Sequence, residues 1–250
     1  MSVQDFGHDM LRERTLHHQQ VYQYKVHRAK LQLLGNMLPP AVAAKVGAYL
    51  LRVLMEDFPD ALFQDIPPTA NVDGQAPDEN SPDQLPARLR SSQARFDTLP
   101  LLRREKQNLA NDLADLGLLL ARRNRDRHPA VQDFMLANDS CTIACEVPVY
   151  LAAEELAYYK SRGFAVSVPE LSKPITGHID VLQARNGFIH LLDYKPEARS
   201  IQPTSQLVLY ALAFASRTRL PVRALKCAWF DEKDYFEFFP LEAVRAKGNF

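Results

Sequence analysis

The dipeptide Asn186-Gly187 lies between two alternating apolar runs in GHIDVLQARNGFIHLLDYKP, residues 177 to 196, and it constrains the chain more than any other feature. A type I′ turn needs positive φ at both central residues, which asparagine and glycine tolerate best, so the segment predicts a β-hairpin. A two-residue loop sets residues 185 and 188 face to face. Counting back along the ladder then puts Asp180 opposite Asp193. Directly opposed residues project from the same face, and this pair falls at a non-hydrogen-bonded position, where Cα atoms lie about 4.5 Å apart. Period two adds Lys195 to that face, whose remaining members are Leu182, Ala184, Ile189 and Leu191. His178 and His190 are expected on the opposite face.

Two carboxylates at the end of an apolar face, with an ammonium beside them, need compensation, because like charges opposed on a sheet are unfavourable. Lys195 could pair with one aspartate while solvent screens the other, or the register could slip and part them. The functional reading is a bound divalent cation. Hard ions such as Mg²⁺ favour carboxylate oxygens and keep positions open for water and phosphate. The lysine can then orient or deprotonate an attacking water, or stabilise charge developing on the phosphate. Phosphodiester hydrolysis needs that combination.

The flanking sequence predicts layers of helix and strand. Residues 9–36 are rich in helix formers, with Leu11, Tyr22, Val26, Leu31 and Leu34 as an intermittent apolar stripe. Pro39-Pro40 breaks that run, and Pro40 suits the first turn of a second helix, AVAAKVGAYLLRVLMEDF. Residues 1–65 thus read as an N-terminal helical region. Residues 66–100, proline-rich and poor in large apolar side chains, read as a linker or loop. A helix is expected over 101–123 and a shorter one over HPAVQDFMLAND. Strands follow in SCTIACEVPVY, which Pro148 pushes toward an edge or bulge, and in the two arms of the hairpin. PTSQLVLYALAFASR reads as a helix, and VRALKCAWF and YFEFFP as strands. This order implies an α/β domain with a small mixed sheet, spanning about 101–250.

Three short motifs, in order, resemble those of a known family: GHID (177–180), DYK (193–195) and QLVLY (206–210). They are similar to the G-x-x-D, D-x-K and Q-x-x-x-Y of the PD-(D/E)XK nuclease superfamily, in its RecB-type branch, over roughly residues 128–240. The resemblance implies a restriction-endonuclease-like core, a small mixed sheet flanked by helices. It implies that Asp180 and Asp193 ligate Mg²⁺ or Mn²⁺, with the backbone carbonyl of Tyr194 as a further ligand, and that Lys195 is the catalytic lysine. Gln206 and Tyr210, four apart on one helix face, are implied to look onto the site. Glu146 in ACEVPVY matches a first-strand glutamate of the family, and its apolar neighbours leave it poorly solvated. His128 is the candidate for a family histidine on the preceding helix, although it stands before Pro129 at a helix start and reads equally well as a surface residue.

The expected function is therefore metal-dependent hydrolysis of DNA phosphodiester bonds, in repair, recombination or defence. The rival is a catalytically silent nucleic-acid-binding or assembly subunit with the same fold, against which the intact D…D-x-K set speaks. A phosphorylated substrate of another kind would need the same site. Thirty basic and thirty acidic residues leave no net charge to announce nucleic-acid binding, so contact with DNA must come from local patches. Arg103, Arg104, Lys106, Arg122, Arg123, Arg125 and Arg127 form either such a patch or a solvated face, offset by Glu105, Asp112, Asp115 and Asp126. A helicase or another subunit is a conceivable partner. No run approaches the roughly 20 apolar residues of a membrane span, so a cytoplasmic protein is expected. Cys141, Cys145 and Cys227 do not reproduce the four-thiolate set of an iron–sulfur cluster and read as buried structural thiols.

Overall fold

A computed structural model describes residues 10–64, 89–91, 95–96, 108–164, 166–167 and 174–243. In chain order the strands are β1 (Leu11–His18), β2 (Gln20–His27), β3 (Leu89–Arg90), β4 (Arg95–Phe96), β5 (Thr142–Leu151), β6 (Val166–Ser167), β7 (Ile175–Arg185), β8 (Phe188–Tyr194), β9 (Leu225–Phe230) and β10 (Tyr235–Phe238). The helices are α1 (Arg28–Gln32), α2 (Leu34–Met37), α3 (Pro40–Leu54), α4 (Leu109–Leu118), α5 (Arg127–Asn138), α6 (Ala153–Ser161), α7 (Thr204–Thr218) and α8 (Pro240–Ala243).

The hairpin forms in the register that its turn dictates. Asn186 has φ +52° and Gly187 φ +81°, and the ladder runs from Arg185↔Phe188 to Val181↔Leu192. The next pair outward is Asp180 and Asp193. Around this hairpin the mixed sheet runs β1-β2-β5-β7-β8-β9-β10, with β3 pairing off that path, parallel to β7. Eight strands make a larger sheet than the small one expected. β8 and β9 are parallel, and α7 supplies the crossover that a parallel pair requires.

Adjacent residues on the central strands sort into two cores. Leu182 and Leu191 pack with α7 and α3, among them Leu207, Val208, Val46 and Leu50. Val181 and Leu192 pack with α4 and α5, through Leu113, Ala114, Val131 and Met135. The result is a three-layer α/β arrangement. Ala43, Val46, Leu50 and Val53 are the buried stripe of α3, spaced at helical intervals, and Pro40 opens that helix at its first turn. Asn108 caps α4, its Oδ1 accepting from the Ala110 amide at 3.1 Å.

The N-terminal segment differs from expectation. Residues 11–27 form an antiparallel β-hairpin, not a helix. Lys, Arg, Gln and Glu are good helix formers, but the buried positions Leu16, His18, Tyr24 and Val26 recur at intervals of two, and that period decides. Gln19, with φ +63°, makes the turn. β2 then joins β5 through Lys25↔Cys145 and Val26↔Ala144, so this hairpin extends the same sheet. Pro148 lies on β5 beyond those two pairs.

Of the proline-rich stretch, only 89–91 and 95–96 fall within the described residues, as do residues from 108 onward of the helix expected over 101–123. Arg103, Arg104 and Lys106 of the suggested basic patch lie outside them. Arg122, Arg123 and Arg125 are exposed, whereas Arg127 donates to the Tyr194 hydroxyl at 3.2 Å. Among the described residues no helix is long and apolar enough to cross a membrane.

Gly187 has open space where a Cβ would go, so only its positive φ restricts substitution. Gly187→Ala should cost about 1–2 kcal/mol, the ordinary penalty of a left-handed alanine. Urea unfolding should report this as a lower midpoint with an unchanged slope; an unaltered midpoint would mean the turn does not set the register.

Candidate active site

Three neighbouring strands bring three acids into one row. The ladder between β5 and β7 runs Cys145↔Val181 and then Val147↔Ile179, which sets Glu146 across from Asp180. Asp180 in turn stands across from Asp193 on β8. Its Oδ2 accepts from the backbone N–H of Tyr194 at 3.0 Å, tying the carboxylate to the end of β8. Lys195 Nζ donates to Asp193 Oδ1 at 2.9 Å. Asp193 is only 1% exposed, and its Oδ2 is buried without a hydrogen-bond partner. The two carboxyls are within hydrogen-bond reach of each other, so a proton on one is shared with the other, and only with both ionised is neither able to donate.

Glu146 sits on β5 with φ +51°, a conformation that costs a non-glycine residue on the order of 1 kcal/mol or more and tends to mark functional sites. The distortion breaks the alternation of the strands at this row. Cys145 and Val181 pack in the smaller core, while Val147 and Ile179, two residues away on the same strands, pack in the larger one. Parity therefore does not assign sides across the row. His178, expected on the far face, instead lines the same cleft as Asp180. His190 does stay apart: it is buried opposite Lys226 on β9, and burial lowers its pKa to about 4, helped by the Lys226 charge.

Helix α5 holds the acids from one side. Gln132 Nε2 donates to Glu146 Oε1 at 2.8 Å. One turn earlier, His128 Nε2 lies 2.9 Å from the Tyr194 carbonyl oxygen and 4.0 Å from Asp180 Oδ2. The carbonyl suggested as a cation ligand is thus at the site, accepting from His128. Burial and the neighbouring Lys195 charge lower the His128 pKa, which favours the neutral ring.

Helix α7 closes the other side. Gln206 Nε2 donates to Tyr210 Oη at 2.7 Å, and Ser91 Oγ also donates to it, at 3.3 Å. The tyrosine ring lies against Gly177: a Cβ there would come within 2.3 Å of Tyr210 Cε1. This explains the glycine of the GHID motif. Glu146, Asp180, His128, Gln206 and Tyr210 line one cleft of about 420 Å³; Asp193, Tyr194 and Lys195 are not among its lining residues and reach the site only through their contacts with Asp180, His128 and one another. Sequence reasoning missed Gln132, although its spacing from His128 puts both on one helix face, and Ser91, for which no pattern gives a signal.

The electrostatics are strained. Burial raises the Glu146 pKa to about 7, with Asp193 adding to the shift and the Gln132 hydrogen bond opposing it. Burial and then Glu146 raise Asp180 to about 6. Burial and then Asp180 push Asp193 well above the ordinary carboxylate range. Burial disfavours the Lys195 ammonium, but Asp193, Asp180 and Glu146 outweigh it, and its pKa rises. One lysine cannot neutralise three acids. Among the described residues no three His, Cys, Asp or Glu side chains form a ready-made metal cage, and Glu146 is turned toward Gln132. Mg²⁺, however, commonly binds through one or two carboxylates and keeps several waters. The Asp180–Asp193 pair, with an orphaned buried oxygen, fits such an ion. Compared with known proteins, the chain matches no family model, no curated protein and no solved structure.

Two outcomes follow from this geometry. Unfolded carboxyls ionise near 4.5 for glutamate and 3.8 for aspartate, whereas the folded ones keep their protons to about 7 and about 6. The native state therefore binds more protons in that interval, and these groups weaken the metal-free fold as pH rises from about 4 to about 7. In denaturant melts, Glu146→Gln should gain stability relative to the wild type over that rise, and Mg²⁺ should restore the wild type; a constant difference would contradict the assigned shift. Gly177→Ala should cost about 1–3 kcal/mol by overpacking against Tyr210. Truncating the tyrosine as well should relieve much of that loss in a double-mutant cycle.

Proposed function

We propose that the protein is a metal-dependent nuclease that hydrolyses DNA phosphodiester bonds, of the PD-(D/E)XK type that its motifs resemble, using Mg²⁺ or Mn²⁺. The observation that carries the reading is the burial of Asp193 against Asp180, with Lys195 bound to one oxygen of the Asp193 carboxylate and the other oxygen left with only the Asp180 carboxyl to face. Burying like charges without a counter-ion is costly, and a divalent cation removes that cost. Asp180 and Asp193 would hold it, with the Tyr194 carbonyl released from His128 as a further ligand and Glu146 reached through water.

A bound ion would supply Lewis-acid polarisation of the phosphate and a more acidic water. The remaining work falls to side chains of the chain itself. Lys195, kept charged by the three acids, donates to the attacking water or to the phosphate oxygen on which charge builds. Gln132 holds Glu146 in place. Gln206 and Tyr210 offer donors along the α7 side of the cleft, where a phosphodiester oxygen would lie. A role in DNA repair, recombination or defence is in keeping with this chemistry.

Purified protein should cleave single- or double-stranded DNA with Mg²⁺ or Mn²⁺ and lose that activity in chelator. Lys195→Ala should reduce the rate by at least about 100-fold, the usual loss when a charge-stabilising donor is removed, at a temperature where circular dichroism shows the variant folded, since Asp193 loses its ion-pair partner and the metal-free melting point should fall. Absence of cleavage by the wild type would instead favour the silent-subunit reading, and full activity in the lysine variant would remove Lys195 from the mechanism.

A further inference from the structure

A second cleft lies beside the first, lined by arginines that neither the three motifs nor the row of acids explains. It holds about 330 Å³, and Arg52, Asp57, Tyr150, Glu155, Arg217 and Arg219 are on its walls. Two links tie it to the cation-holding site. Tyr150 on β5 pairs with Thr176 on β7, and Thr176 lines the first cleft. The loop that ends at Pro59 borders the second cleft. Its next residue, Asp60, has Oδ1 2.9 Å from Nε2 of His18, in the β1–β2 hairpin that walls the first cleft. Helix α7 serves both clefts, with Gln206 and Tyr210 near one end and Arg217 at the other. The rise from residue 206 to residue 217 is about 16 Å.

Three guanidinium groups meet two carboxylates here. Arg52 Nε donates to Asp57 Oδ2 at 2.6 Å. Arg217 lies over the Tyr150 ring, its Cζ 4.0 Å from the centroid. It donates to Glu155 through one amino group, and its Nε is buried with no acceptor, so the fork that suits a bidentate anion is only partly used. The charge of Arg219, which is exposed, is left over once these two pairs are matched. Arg219 stands at the left-handed C-cap of α7, with φ +54°, where glycine is the usual residue because it adopts that conformation without strain. Arg52 and Arg217, in the last turns of α3 and α7, already offset the helix dipoles. A dipole is served by any cation in the last turn, without the strain that Arg219 adds. We infer that this cleft is a second phosphate site: Arg217 and Arg219 hold a backbone phosphate of the same nucleic-acid strand whose scissile phosphate lies at Asp180. The inference rests on the nuclease reading and deepens it by giving the track of the substrate. Phosphate contacts of this kind fix a strand's register without reading its sequence. The separation of about 16 Å spans no more than about five nucleotides at roughly 3.4 Å each, so a short oligonucleotide can engage both clefts.

The test is binding, read separately from cleavage. A fluorescein-labelled single strand of twelve nucleotides is titrated with protein in Ca²⁺ buffer at several salt concentrations while anisotropy is followed, and each variant is melted in parallel. Arg219→Gly removes the charge and suits the left-handed backbone. It should therefore melt no lower than the wild type, yet bind about fivefold more weakly at 0.1 M salt, with a salt slope shallower by about 0.7, the share of one phosphate on a single strand. Arg219→Lys keeps the charge and should stay within about twofold of the wild type with the slope unchanged. A purely structural role would move the melt and leave the slope alone. Unchanged affinity and slope in Arg219→Gly overturn the inference. So does a site for a free anion only, in which inorganic phosphate raises the melting temperature of the wild type and not of Arg219→Gly while both bind the strand equally. Metal-dependent cleavage by the same wild-type sample separates the two failures. Cleavage with strand binding indifferent to Arg219 removes only the second site, whereas neither cleavage nor binding removes the nuclease reading along with it.

Discussion

Three carboxylates held in a row across β5, β7 and β8 are the constraint around which the rest of the molecule is arranged. Strand register leaves them nowhere to go. The Asn186-Gly187 turn fixes β7 against β8, and the buried residues on both sides of the sheet, Leu182 and Leu191 on one and Val181 and Leu192 on the other, would all change faces if the register slipped by one. Asp180 and Asp193 are therefore pressed together by the same packing that stabilises the hairpin. Lys195 offsets part of the repulsion, the Tyr194 amide another part, and proton uptake a third. What remains is the unfavourable charge that the proposed cation would offset.

The two helical layers play different parts around this row. α5 supplies polar restraint through Gln132 and His128, and its apolar positions seal the smaller core. α7 is almost wholly buried and presents Tyr210 to the cleft across a glycine that leaves room for the ring. The left-handed Glu146 sits between them. A strained backbone at a half-buried acid places the cost of that distortion at the site, close to a second irregularity of the same strand, the register shift between Thr142 and Ala144. The N-terminal hairpin completes the enclosure from a part of the chain remote in sequence.

How much of this could be read in the sequence follows from the range of the interactions. The turn, the register and the opposition of Asp180 and Asp193 came from a two-residue signal with a defined geometry, and the helix carrying Gln206 and Tyr210 from local periodicity. The N-terminal hairpin was hidden because Arg12, Glu13, Gln20 and Gln23 are among its exposed positions, and composition favoured helix while Leu16, His18, Tyr24 and Val26 marked period two. His178 was assigned to the wrong side because alternation presumes a regular strand, and the row at Glu146 and Asp180 is not regular. The contact of His18 with Asp60, and that of Ser91 with Tyr210, join segments 42 and 119 residues apart. No local pattern encodes such pairs; only the closed sheet brings them together.

The most direct measurement is the anomalous scattering of Mn²⁺ in crystals grown with the ion. A cation-holding pair requires a peak within coordination distance of oxygens from both Asp180 and Asp193, with the Tyr194 carbonyl turned toward it and away from His128. Density for Mn²⁺ elsewhere alone, or aspartates that part to meet separate solvent, would mean that the buried acids answer to some other need and that the sheet holds them for a purpose unrelated to a metal.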